Sequence, residues 1–121
     1  MNELIDLTLI RQIAAVMHEP GGIPKLLEGF AADARRTLKQ MHNLAKKGHA
    51  AAIAYEAHRL RGSSASVGAV RLAAEFVALE RSAREGRSDL APQIDLALAV
   101  LDSTQIVFSC LALGSKLESA G

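Results

Sequence analysis

A chain of 121 residues with a formal net charge of +1 fits one domain, spanning residues 1–121, and leaves little room for a second. Half of it is hydrophobic, 3% is aromatic and Trp is absent, so the core must come from Leu, Ile, Val and Ala with a few Phe and Met. The balanced charge argues against nucleic acid as a partner, because such binders carry a basic face with stacking aromatics.

The first helix is expected from about Leu7 to His18, where "EPGG" at 19 to 22 ends it. Its leading "MNELIDLTLIRQI" has acids where a secretory leader would have basic residues. Pro24 suits the first turn of a second helix, where its missing N–H costs nothing. That helix carries the stripe Ile23, Leu27, Phe30, Ala34, Leu38, Met41 and Ala45. Gly48 marks its end, with Lys46 and Lys47 complementing the helix dipole.

A third helix carries Ile53, Ala57, Leu60 and Ser64 and stops around "SVG", where Gly68 supplies a turn. A fourth carries Leu72, Phe76, Leu79 and Ala83 and ends at Gly86. Ser88 or Asp89 caps a fifth, which carries Ile94, Ala97, Leu98, Leu101, Gln105, Phe108 and Leu111 and ends near Gly114. Short connectors make successive long helices antiparallel neighbours. The expected fold class is all-α: an antiparallel up-down-up-down four-helix bundle with an additional short N-terminal helix. No apolar run reads as long enough to span a bilayer. The single cysteine, Cys110, reads as a small buried or half-buried hydrophobe of a reducing compartment. The chain is expected to be soluble and cytoplasmic.

One stretch, "EAHRLRGSSASVGAVRL" at residues 56 to 72, breaks the repetitive pattern. At about 100° per residue, His58 lies roughly 140° from Ile53 and roughly 160° from Leu60. It therefore faces away from the core. Its neighbours on that face are Ala51, Ala54, Gly62 and Ala65, with Tyr55 and Arg61 at the sides. Gly62 costs about 0.5–1 kcal/mol relative to alanine in mid-helix. It stands one turn after His58, where a side chain is expected to crowd the ring. Arg61 brings a permanent positive charge that favours the neutral imidazole, whose ring nitrogen is nucleophilic. The same charge can hold an anionic group once it is attached.

"HRLRGSSASVGAVRL" resembles the core motif of histidine phosphotransfer (HPt) domains: a His, a basic residue three later, Gly next, small residues, then Gly-Ala and Leu. "LERSAR", Leu79 to Arg84, is similar to the family's pattern on the following helix. The family motif usually has Lys where Arg61 stands; Arg keeps the charge. The resemblance implies that His58 is phosphorylated through Nε2, that Arg61 steadies the phosphoryl group and that Gly62 gives clearance. It also implies that Glu80 orients the ring through its other nitrogen and that Arg84 lies at the edge of the docking surface. Glu80 and Arg84, four apart, equally fit an ordinary exposed ion pair.

HPt domains accept phosphate from the aspartate of one receiver domain and pass it to another. The chain itself would need no cofactor; Mg²⁺ belongs to the receiver. The implied partners are receiver domains of response regulators or of a parent hybrid sensor kinase, met by a monomer. Such a parent would tether the domain to the inner membrane. Ile10, Ile13, Ala14 and Met17 of the first helix are expected to form an apolar docking patch beside His58, together with Tyr55 and Ala65. Two other readings remain: the phosphorylatable N-terminal domain of a chemotaxis-type kinase, and a docking bundle without transfer. A buried or hydrogen-bond-saturated His58 would favour the latter.

The remaining candidates read as structural. His18 suits a helix dipole, and His42 and His49 lack the further ligands of a metal site. Ser63 and Ser64 read as small packing residues near a helix end.

Overall fold

The computed structural model describes residues 3–17 and 21–120, the side chains of 112–120 excepted. Five helices follow one another: α1 (Leu7–Val16), α2 (Gly22–Lys46), α3 (Ala50–Ser66), α4 (Val70–Arg84) and α5 (Ala91–Ala120). The packed pairs are α2 with α3, α3 with α4, α4 with α5 and α5 with α2. Those four contacts close a ring, which is the expected four-helix bundle with α1 as the extra short helix. The antiparallel sense of α2 and α5 shows in their cross-links: His42 meets Asp95, while Arg35, two turns earlier, meets Asp102 and Gln105, two to three turns later.

The apolar stripes read from the sequence form the core. Leu38, Met41, Ile53, Leu60, Leu72, Phe76, Leu79, Ile94 and Leu101 are fully buried, each large side chain contributing about 1.5–3 kcal/mol of hydrophobic free energy. Ser64 is also fully buried, and its hydroxyl has no hydrogen-bond partner among the described residues.

Three helices stop the same way. After α2, α3 and α4 a glycine takes a positive φ: 73° at Gly48, 77° at Gly68 and 75° at Gly86. Each glycine N–H returns to a carbonyl three residues back, and the next N–H reaches five residues back, as in Ala69 to Ser64 at 2.8 Å. Gly68 has a second reason to be glycine. A Cβ there would stand 3.0 Å from the Asp6 carbonyl oxygen and 3.2 Å from Ile10 Cγ1. The segment before α1 is clasped to this turn. Asp6 N–H donates to Gly68 C=O at 2.7 Å, and Arg71 N–H donates to Leu4 C=O at 3.3 Å. Asp6 also caps α1 by accepting from Leu9 N–H at 3.0 Å.

Four expectations need correction. α1 ends at Val16, where Met17 turns extended; His18 and its proposed dipole role lie outside the described residues. α5 does not stop near Gly114 but runs to Ala120, because one glycine lowers helix propensity without forbidding the helix. It starts at Ala91, so Leu90, not Ser88 or Asp89, precedes its first residue. Finally, Ala91–Leu111 is long and apolar enough to cross a membrane by length and composition. Its apolar side is a core stripe, however: Ile94, Ala97, Leu101 and Phe108 are buried in the bundle, and Asp95 and Asp102 bond to α2.

Candidate functional site

His58 stands in the middle of α3, where the bare helix face carries it outward. Its side chain is 57% exposed. Nδ1 lies 3.1 Å from Glu80 Oε1 on α4, and Nε2 has no hydrogen-bond partner among the described residues. An ionised carboxylate can only accept, so Nδ1 carries the proton. In the neutral ring this leaves the lone pair on Nε2, aimed away from Glu80.

Glu80 is itself held. Arg84 Nε donates to Glu80 Oε2 at 2.8 Å, and the Glu80 side chain is only 16% exposed. The Arg84 hydrogen bond holds its carboxyl below the ordinary carboxylate value. Partial burial opposes that shift, and the His58 contact adds to it. The spacing Glu80–Arg84 is therefore an ion pair, as in the plainer reading, but one whose second carboxylate oxygen faces the imidazole.

Around the ring, Arg61, Gly62, Ala51, Ala65 and Tyr55 are exposed. Arg61 has no ionic partner among the described residues, so its charge is free to meet an incoming anion. Ala54 departs from the expected face and is buried against the core. Gly62 departs from the expected reason. A Cβ built there meets nothing within 4 Å, so a small side chain would not crowd the His58 ring. Any clearance that Gly62 provides concerns a molecule arriving from outside.

The apolar patch expected on α1 also changes. Ile10 is 7% exposed and belongs to the core, where it packs against Gly68. Ile13 and Met17 are half-buried and Ala14 is exposed. Val16, absent from the sequence reading, is the most exposed large apolar residue among those described. It sits at the end of α1, where the helix stripe that selects Ile10, Ile13 and Met17 no longer selects it.

Sequence periodicity gave no sign of the polar cluster behind the site. Arg59, the residue after His58, donates from both terminal nitrogens to Asp33, at 2.7 and 3.3 Å, and also to Thr37 at 3.0 Å and Glu56 at 2.9 Å. These bonds tie α3 to α2. The Arg59 hydrogen bond holds the Asp33 carboxyl below its ordinary value against partial desolvation, and the same pairing raises the guanidinium's own proton affinity.

The other chemistry-bearing residues stay apart. His42 is committed to Asp95 at 2.8 Å. His49 sits exposed before α3. No group of three or more His, Cys, Asp or Glu among the described residues could hold a metal. Ser63 donates to the Arg59 carbonyl at 3.3 Å. Cys110 is exposed rather than buried, on the outer side of α5.

The arrangement can do one thing well. It presents a single nucleophilic ring nitrogen, of fixed tautomer, beside an unpaired guanidinium on an open helix face.

The Hpt domain family matches residues 25–104. Histidine-containing phosphotransfer protein B from Pseudomonas aeruginosa PAO1 superposes with a TM-score of 0.81 at 30% identity, over 90% of this chain and 94% of that one. A rice protein described as a putative histidine-containing phosphotransfer protein superposes with a TM-score of 0.82, over 94% of this chain and 85% of that one. At 20% identity it speaks for the fold alone. No curated protein sequence matches. With the Hpt match spanning most of its length, the chain belongs to the family of histidine phosphotransfer domains.

Proposed function

We propose that this chain is the intermediate of a multistep phosphorelay and carries the phosphoryl group on His58 between receiver-domain aspartates. The observation that carries the reading is the state of the ring: Nδ1 faces Glu80 at 3.1 Å and Nε2 faces solvent. A module that only docks would have no use for that free nitrogen.

In the transfer, the Nε2 lone pair attacks phosphorus in line with the acyl-phosphate bond. The N–P bond forms, the P–O bond to the receiver's aspartate breaks, and the aspartate leaves as a carboxylate. No proton has to leave Nε2. The ring ends with its proton on Nδ1 and a positive charge, which the Glu80 carboxylate stabilises. Arg61 pairs with the phosphoryl oxygens. The receiver supplies the Mg²⁺ that offsets charge at its own aspartate. The return transfer is the same step in reverse.

This chemistry sets the rest of the proposal. The chain acts as a single monomeric unit, without contact to nucleic acid or the lipid surface. It meets receiver domains in the cytoplasm, as a free protein or as a module of a hybrid sensor kinase tethered to the inner membrane. Tyr55, Ala65, Ala14, Ile13 and Met17 contribute to the docking face.

The test is phosphate transfer from a phosphorylated receiver domain with Mg²⁺ to the purified chain, beside His58→Gln. Acid-labile, base-stable label on the wild type and none on the variant is expected. Label persisting on His58→Gln would refute the assignment. Arg61→Ala should fold normally and shorten the phosphohistidine lifetime.

A further inference from the structure

To fix the tautomer of His58, Glu80 must accept from Nδ1, which it approaches at 3.1 Å, and a carboxylate accepts more strongly than a neutral group. It does so best when held in one orientation, and Arg84 supplies that hold. Its Nε binds Oε2 at 2.8 Å, on the side of the carboxylate that His58 does not use. The guanidinium lies outward, 62% exposed, over a Glu80 that is mostly covered.

We propose that Arg84 is a positioning residue for phosphotransfer: it fixes the carboxylate that holds Nδ1–H and so keeps the lone pair on Nε2. The inference rests on His58 being the carrier, and it gives Arg84 a role distinct from touching the partner. On α3, Arg61 is exposed and without an ionic partner among the described residues. Tyr55 is exposed, and Glu56 and Arg59 bond to each other and into α2. On α4, Arg81 and Glu85 are exposed neighbours of Arg84. On α1 the charged residue is Arg11, also exposed. None of these hydrogen-bonds Glu80, whose described partners are His58 and Arg84.

The experiment uses the full chain and two readouts that need no receiver. One is the ¹⁵N spectrum of the His58 ring, which separates the two neutral tautomers from imidazolium. The other is the rate of phosphorylation by phosphoramidate, in which Nε2 displaces ammonia from phosphorus. Arg84→Ala should weaken the Nδ1–H signature and slow phosphorylation by phosphoramidate roughly two- to five-fold, the worth of one hydrogen bond. Arg84→Lys should restore both. An Arg84→Ala variant with wild-type tautomer and phosphoramidate rate that is slow only with a phosphorylated receiver would overturn the proposal and make Arg84 a docking residue. If the wild type takes phosphate from no donor, the carrier reading fails, and the tautomer spectra still decide what Arg84 does.

Discussion

Gly62→Ala separates the demands of folding from those of transfer. The position is exposed and lies inside α3, and a Cβ placed there would have no neighbour within 4 Å. Its φ is not in the positive region, where the chain's turn glycines lie. Nothing in the fold therefore resists a methyl group. Alanine should gain the full helix-propensity difference of about 0.5–1 kcal/mol, which for a chain of this size raises Tm by about 2–4 °C. Transfer should move the other way as the side chain grows: little changed in Gly62→Ala, and slowed in Gly62→Gln, whose long side chain stands in the path of a docking receiver. The assay is a thermal melt beside single-turnover transfer from a phosphorylated receiver. A destabilised Gly62→Ala would show that the position is not open. A Gly62→Gln chain that is stable and transfers at the wild-type rate would show that clearance is not why glycine is there.

Arg59→Ala should lower stability by about 1–2 kcal/mol by urea unfolding, a figure held down because both partners remain partly solvated. Asp33 is held below its ordinary value by Arg59, so its contribution is complete above about pH 4 and is lost as pH falls through the depressed folded value. The acid loss of stability should be shallower in Arg59→Ala, and an unchanged acid profile would refute the pairing. Gly68→Ala should cost about 1–2 kcal/mol from the left-handed backbone alone, with more from the contact to the Asp6 carbonyl. Hydrogen exchange at the Asp6 and Arg71 amides should speed up; unchanged protection there would mean the clasp survives. Ser64→Ala removes a buried hydroxyl that has no partner among the described residues and should leave stability unchanged or raise it by about 1 kcal/mol. A clear loss of stability would reveal a hidden hydrogen bond.

The stripes that made the bundle legible were the residues whose period matches an α-helix: Ile53, Ala57, Leu60 and Ser64 are all fully buried. The stops were legible where glycine takes a left-handed turn, at Gly48, Gly68 and Gly86. Gly114 misled because a glycine inside a helix looks the same in sequence as one that ends it. The outward setting of His58 was legible because a bare face and a flanking charge are local facts. The cluster of Arg59 with Asp33 and Thr37 was not, since it joins positions 26 and 22 residues apart, and periodicity reports only that each is polar. Ile10 was misplaced for a related reason. A helix wheel gives the apolar side of α1 but not what covers it, and here the covering element is the α3–α4 turn. Glu80 entered through the family resemblance; its 3.1 Å approach to Nδ1 depends on how α4 is set against α3.

The clasp of Arg59 on α2 has a consequence for how a signal is kept. Two consecutive residues of α3 have opposite fates: one is tied into a neighbouring helix from several donors, and the other is left free at its reactive atom. With His58 as the proposed carrier, a helix pinned so close to it would have little freedom to roll or slide when a phosphoryl group arrives. The charged and uncharged forms would then differ by one covalent bond and its immediate counter-charges, with the same scaffold beneath both. Such a molecule would store its message without displaying it as a change of shape, and a receiver would have to read that message by taking the phosphate away.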